Sequence, residues 1–432
     1  MLKRKIIKRL KEWKDNHSKC ALLVKGARQV GKTYIIREFG KQFYTNTVEL
    51  NFEKDRGLRS IFDGSLEVDH LIQQMSLFIP GSQFIPGETL IFLDEIQSCP
   101  NARTAVKFLA DDGRFDVIES GSLLGINYKD VSSYPVGYET PIEMFPLDFE
   151  EFLWAMGIDE SAISGLKEFF DDPSKIPDEL NSRMISYLRQ YIVIGGMPKV
   201  VDTFVRTNNY NDVFDLQQAI LANYADDITK YSAVPDKPKI RACFNSIPAQ
   251  LAKENTKFQY SVVEHKGTAR KFGSSIEWLS DAGIIQLCHN VSLPAFPLNA
   301  YEKSEQFRAY MTDTGLLTAM YGYDMKAAII QDTLKGPAKG GIYENLIAGM
   351  LAVKGIPLYY YRTDNGSIEI EFLITDNSSI VPVEVKAKNG STVSLNKLLE
   401  DSSIEKGYKL TSKNAGVSGK KITLPLYLAV FL

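Results

Sequence analysis

An α/β fold with a parallel sheet in its first third follows from three features of the 432-residue sequence. Short apolar runs alternate with amphipathic segments in the order "CALLVKG", "KTYIIREFGKQF", "TVELNF", "LIQQMSLFI", "TLIFLDEI", "ARTAVKFLADD" and "FDVIESGS". Strands that alternate with helices require crossover connections, which make the sheet parallel and cover both its faces. The second feature is "GARQVGKTY", Gly26 to Tyr34, which fits G-x-x-x-x-G-K-[ST] in full and sits between the strand-like "ALLV" and the helical "TYIIREF". The third is "TLIFLDEIQ", residues 89–97, an apolar strand that ends in two acids.

The chemistry of these motifs is phosphate chemistry. Glycines at 26 and 31 let the loop curl, so that the main-chain N–H groups of Gly26, Ala27, Arg28, Gln29, Val30, Gly31, Lys32, Thr33 and Tyr34 can line an anion at a helix start. Lys32 is placed to reach the β- and γ-phosphates of ATP, and the Thr33 hydroxyl to ligate Mg²⁺. Asp94 and Glu95 leave their strand at its C-terminal edge, where the ligand crevice of a parallel sheet lies. Asp94 then holds the magnesium shell, while Glu95 orients or deprotonates the attacking water. Ser120 ends a further strand and can hydrogen-bond the water or the γ-phosphate; a plain loop start is the competing reading. A nucleotide bound as a static ligand is the alternative to turnover. Arg28, Arg103 and Arg114 are the nearby arginines weighed as a cationic finger, and none stands out by position.

After "IEMFPLDFEEFLWAMG" the pattern turns helical, and residues 157–234 read as a helical second domain after a P-loop domain at 1–156. "VPDKP" reads as a linker. The helices "IRACFNSIPAQLAKEN" and "ARKFGSSIEWLSDAGII", followed by a strand, give the helix–turn–helix and wing pattern of a winged helix at 235–295. Lys266, Arg270 and Lys271 near its second helix suit phosphate contacts with DNA, although such domains also bind proteins. From "PAFPLNA" onward strands dominate, with one clear helix at "GGIYENLIAGMLAVKG". The basic N-terminal helix, with Lys3, Arg4, Lys8 and Arg9, reads as a solvated face.

Composition sets the limits. A net charge of −3 excludes a uniformly basic polyanion binder, so any nucleic-acid contact is regional. Four scattered cysteines without a C-x-x-C pair argue against a disulfide framework or a zinc site and fit a reducing cytoplasm. No run approaches the roughly 18 apolar residues of a membrane span, so no membrane association is expected.

As an ensemble, "GARQVGKTY", "LIFLDEIQ", "ESGSLLG", "PIEMFPLDFEEFL", "YIVIGGMPKVV", "NYADDITKY", "MTDTGLL", "GGIYENLIAGML" and "IEIEFLI…VPVEVKAK" resemble the bacterial and archaeal AAA-type ATPases fused to a C-terminal domain of unknown function. The resemblance implies a P-loop domain with lid, a winged helix, and at 296–432 a C-terminal α/β domain similar to restriction endonucleases. It carries the P-loop lysine and threonine to Lys32 and Thr33 and the acidic pair to Asp94 and Glu95. Many relatives have Gly-Arg where this chain has Gly137-Tyr138, so a finger at that point is absent here. A nuclease site of that fold would comprise Glu344, Glu371, Glu384 and Lys386, binding a metal ion and aligning water against a phosphodiester. Relatives usually carry Asp at the Glu371 position. A half-buried strand inherited from a nuclease is the competing reading, and a nucleotide-dependent scaffold for a protein partner is a third.

Overall fold

The computed structural model of the chain describes residues 2–16, 20–122, 137–231, 235–387 and 392–432, with backbone only at 229–231. The "LLG" of "ESGSLLG", Val234 of the linker and Lys388 of the last motif lie outside the described residues. The chain divides into two compact units, 4–145 with 281–283, and 1–3 with 146–280 and 284–432.

The first unit begins with helix α1 (Ile6–Asp15), whose Ile6, Leu10 and Trp13 recur at helical spacing and are buried. The remaining elements are β1 (Ala21–Gly26), α2 (Lys32–Phe43), β2 (Asn46–Asn51), α3 (Val68–Phe78), β3 (Thr89–Asp94), α4 (Pro100–Asp112), β4 (Asp116–Ser122) and β5 (Glu139–Glu143). Proline opens α4 and Gly113, in the left-handed region at φ 69°, closes it. The five described strands are all parallel, in the order β2-β3-β4-β1-β5. Burial on both faces explains the continuous apolar runs of β1 and β3. Leu22, Val24, Phe92 and Ile118 pack with Leu10, Ile36 and Phe39 on one side. Leu23, Leu50, Ile91, Leu93 and Val117 pack with Leu71, Met75, Ala102 and Val106 on the other. Each of the Leu, Ile, Val, Phe and Met side chains among them contributes about 1.5–3 kcal/mol by leaving water. The two layers fix the sheet firmly enough to hold the polar strand ends in register.

The second unit opens with α5 (Phe149–Ala155), started by a reciprocal capping box between Asp148 and Glu151. It continues through α6 (Glu160–Asp171), α7 (Asp178–Ile194), α8 (Pro198–Thr207), α9 (Tyr210–Tyr231), α10 (Lys237–Leu251), α11 (Tyr260–Val263) and α12 (Ala269–Asp281). An eight-stranded sheet follows among the described residues, built from β6 (Ile285–Val291), β7 (Glu302–Met311), β8 (Tyr359–Arg362), β9 (Glu369–Asp376), β10 (Ser379–Lys386), β11 (Gly407–Thr411), β12 (Gly416–Ser418) and β13 (Lys421–Pro425). Its order is β12-β13-β11-β10-β9-β8-β6-β7.

β6 and β7 pair antiparallel and β6 also pairs with β8, so one sheet runs through the position expected to separate a winged helix from a C-terminal domain. The helical segment 157–234 packs on the far C-terminal residues of the same unit. Phe170 lies 5.9 Å from the Tyr408 ring and 6.0 Å from Phe431, Asn414 pairs with both backbone groups of Ile176, and Tyr427 donates to Asn181. The C-terminal region is also more helical than its composition implies. Besides the clear helix, here Pro337–Val353, helices span Thr314–Met320, Tyr323–Ile330 and Val393–Leu399. The first of these is nearly all buried and capped by Asp313 on Leu316 N–H, so tertiary burial and a cap override weak propensity.

The motifs "PIEMFPLDFEEFL", "YIVIGGMPKVV" and "MTDTGLL" meet at one glycine junction. The peptide at Gly196 both donates and accepts, with Leu147 N–H bonding Gly196 O and Gly196 N–H bonding Asp313. A Cβ at Gly196 would lie 2.0 Å from Leu147 O, and one at Gly315 would lie 2.4 Å from Ile194 O. Buried Lys326 and Gln217 both donate to Val193 O, at the C-terminus of α7. Burial holds the Lys326 amine down at about 7, with Asp313 opposing.

Candidate nucleotide-binding site

The loop 26–31 joins β1 to α2 and is shaped by main-chain geometry before any side chain acts. Gln29 and Gly31 occupy the left-handed region at φ 65° and 96°. Gly26 has no room for a Cβ, which would sit 2.3 Å from Met144 O in the segment after β5. Lys32 starts α2 and is 8% exposed, with Nζ donating to Gly26 O at 2.9 Å and Ala27 O at 2.8 Å. Burial lowers this amine to about 8, while Glu95 and then Asp94 pull it upward. Lys32 therefore stays cationic at neutral pH and sits within the field of both acids.

Asp94 is the hub of the opposite wall. Its carboxylate accepts from Thr33 Oγ1 at 3.1 Å to each oxygen, from Asn51 Nδ2 at 2.6 Å and from Ser120 Oγ. Burial raises its pKa and the Ser120 and Thr33 hydroxyls oppose the shift. Parallel register explains the meeting: Asn51 pairs with Asp94 at the ends of β2 and β3, and Leu93 of β3 pairs with Glu119 of β4, one position before Asp94 and Ser120. Hydroxyl and carboxylate oxygens are hard ligands, the kind Mg²⁺ takes, so Thr33 and Asp94 fit the ion. Glu95 turns out of the strand at φ 55°, and its Oε2 accepts from Gln97 Nε2 at 2.5 Å. The structure thus brings Lys32, Thr33, Asp94, Glu95 and Ser120 into one region of the strand ends. Tyr34 is 51% exposed.

Sequence reasoning missed several members. Asn51 binds Asp94 and also caps its own loop, accepting from Glu53 N and Lys54 N. Arg4, expected on a solvated face, is 8% exposed and donates to Val30 O at 3.2 Å and Phe145 O at 2.7 Å. Its partners are carbonyls far along the chain, which no helical periodicity reveals. Of the arginines weighed as fingers, Arg103 is buried against Glu139 at 2.8 Å and Glu119 at 3.6 Å. Arg114 pairs with Asp112 and Asp69. Arg28 is partly exposed within the loop.

In the second unit, Lys386 Nζ lies 2.7 Å from Glu371 Oε1 and 3.6 Å from Glu384 Oε1, and Val385 N–H donates to Glu371 Oε2. Burial pushes Glu384 up to about 7, with Lys386 opposing and Glu371 adding to the shift. Glu384 Oε2 is buried without a hydrogen-bond partner among the described residues. Glu344 is close enough to Glu371 for each charge to be felt, but its Oε2 is engaged by Arg308, Tyr310 and Thr256. Arg308, buried and stacked 4.3 Å from the Tyr360 ring centroid, also pairs with Glu369. No group of three His, Cys, Asp or Glu is arranged to hold a metal among the described residues. Lys271 of the basic run near α12 is paired with Glu264 at 2.6 Å.

A strand, a Gly-Lys-Thr loop and a helix, faced by an acid-terminated strand in a parallel sheet, define the P-loop class of nucleotide-binding domain. Residues 18–153 match the family model described as "AAA domain", so this segment has the motif order and fold of an AAA-type ATPase domain. Residues 185–327 match a domain of unknown function (DUF8612), and residues 339–429 match another (DUF4143). The chain is similar to "Uncharacterized protein MJ1544" of Methanocaldococcus jannaschii, at 25% identity over 381 residues, covering 84% of this chain and 74% of that protein. Among solved structures it is similar to a Walker-type ATPase of Pyrococcus abyssi, with TM-score 0.45 and 13% identity, covering 74% of this chain and 96% of that one. AMPPCP-bound DnaA from Aquifex aeolicus gives TM-score 0.28 and 12% identity, covering 64% and 86%. The described residues contain no helix long and apolar enough to cross a membrane.

Proposed function

We propose that the chain binds and hydrolyses ATP with Mg²⁺ at the loop 26–34, and that turnover governs a nucleic-acid-directed module in its second unit. The observation that carries the reading is the convergence of Thr33, Asn51 and Ser120 on Asp94 beside the loop containing Lys32. Loop amides and the Lys32 ammonium hold the β- and γ-phosphates, exchanging the Gly26 and Ala27 carbonyls for charged phosphate oxygens. Thr33 and Asp94 hold Mg²⁺, which when bound neutralises charge on the phosphates. Glu95 takes a proton from the attacking water as the water oxygen bonds the γ-phosphorus and the bond from that phosphorus to the ADP oxygen breaks. Ser120 fixes the Asp94 carboxylate. Lys32→Ala tests the assignment: nucleotide binding or turnover disappears, and equal ATPase rates in variant and parent reject it.

A second reading rests on the contact of Glu371, Glu384 and Lys386, which supports a restriction-endonuclease-like site able to cut DNA with a metal ion. Cleavage that survives Lys32→Ala and vanishes with Glu384→Ala is its signature. The helices α10 to α12 followed by the β6–β7 hairpin support a winged-helix reading, with DNA or a protein partner as its ligand. A chain that retains partners and leaves DNA unaltered would instead be a nucleotide-dependent scaffold in the cytoplasm.

A further inference from the structure

Gln97 is a buried polar side chain without a complete set of partners, two residues beyond Glu95. It is 3% exposed in the short turn Ile96–Ser98, its Nε2 donates to Glu95 Oε2 at 2.5 Å, and its Oε1 has no hydrogen-bond partner among the described residues. An orphaned buried carbonyl is costly, because it gives up its hydrogen bond to water and gains none in return. A leucine would fill the same space without that cost, so packing alone gives no reason for a glutamine here. The turn that carries it is braced. Ser98 N–H closes onto Glu95 O at 2.9 Å, and Ser98 Oγ donates to Glu53 Oε1 at 2.7 Å. Glu53 in turn lies in the loop capped by Asn51, whose amide grips Asp94. Glu95, by contrast, projects from a left-handed residue, and among the charged groups around Lys32 it exerts the largest pull.

We propose that Gln97 is a positioning residue for the hydrolysis reaction, fixing the Glu95 carboxylate through its amide so that one carboxylate oxygen remains directed to the attacking water. This rests on the reading of Glu95 as the base. The donated hydrogen bond occupies one oxygen, removes the rotational freedom that the half-buried Glu95 side chain would otherwise have, and is held in place by the β2 and β3 loop contacts.

The experiment compares the parent, Gln97→Leu, the isosteric Gln97→Glu, Glu95→Gln and the Glu95→Gln/Gln97→Leu pair in full-length protein. ATP turnover is measured beside the affinity for a non-hydrolysable ATP analogue with magnesium. A general base supplies about 100- to 10,000-fold, and misplacement by about 1 Å costs on the order of 100-fold. Both Gln97 variants are therefore expected to lose about 10- to 100-fold in kcat, with analogue affinity within about twofold. In the Glu95→Gln background, Gln97→Leu has no further effect, which a merely structural role would not produce. Parent-like kcat in a folded Gln97 variant overturns the proposal, as does a loss that multiplies with that of Glu95→Gln. If the parent binds ATP without hydrolysing it, the hydrolysis reading fails first and takes this proposal with it. If the parent hydrolyses ATP and Gln97 proves neutral, only the Gln97 assignment fails.

Discussion

Replacing Arg4 with methionine should loosen the phosphate loop from a site outside it. The methionine keeps most of the apolar stem and removes the guanidinium, whose bonds to Val30 O at 3.2 Å and Phe145 O at 2.7 Å are lost. Hydrogen bonds to a charged donor contribute about 1.5–3 kcal/mol each. The longer of the two belongs at or below that range, so the sum is about 3 kcal/mol. For a unit of this size about 1 kcal/mol moves Tm by roughly 2–4 °C, which places the loss on the order of 10 °C. Part of the cost falls on the loop itself, because the Val30 carbonyl loses its tether next to Gly31 and Lys32. If about 1.4 kcal/mol of it appears in binding, the Kd for ATP rises about tenfold. Circular dichroism melts and ATP titrations of parent and variant measure both effects. A variant within 1 °C of the parent and with equal ATP affinity would refute the view that Arg4 braces the loop.

Three further outcomes follow from the same geometry. Lys32, lowered by burial to about 8, loses its charge as pH rises through that value, so ATP affinity should fall about tenfold per pH unit above it. Calorimetry in buffers of different ionisation enthalpy should detect proton uptake on binding near pH 8.5, and constant affinity from pH 7 to 9.5 contradicts this. Glu384, raised by burial from 4.5 to about 7, contributes stability that is complete below about 4.5 and lost as pH rises to about 7. The change is about 3 kcal/mol, set against Lys386, Glu371 and Lys409 around it, and urea melts of Glu384→Gln should lack it. Gly196→Ala puts a methyl group 2.0 Å from a main-chain oxygen and should cost more than about 3 kcal/mol, whereas Gly165→Ala in α6, with nothing within 4 Å, should stabilise by about 0.5–1 kcal/mol. Chemical denaturation of the two variants checks that contrast.

The parallel sheet and the phosphate loop were legible because their signals are local: continuous apolar runs, a glycine-lysine-threonine turn, and acids at a strand end. What escaped depends on register and distance. Arg4 reaches carbonyls 26 and 141 positions away, so its sequence neighbourhood reads as an ordinary basic helix. Asn51 matters because β2 and β3 pair in the one register that sets it opposite Asp94. Arg308 is buried among Glu344, Glu369 and Tyr360 by a sheet whose strand order, with β6 beside β8, cannot be read from spacing. The segment 157–234 is legible as helical from the spacing of its apolar residues. Its docking on Tyr408, Asn414 and Tyr427 is set by aromatic and amide contacts more than 200 positions apart.

The most direct test is a calorimetric titration of ATP with magnesium into folded full-length protein and into Lys32→Ala. The loop geometry predicts saturable binding at one site per chain for the parent and its loss in the variant. Absence of binding in the parent, or undiminished binding without the Lys32 ammonium, would contradict it.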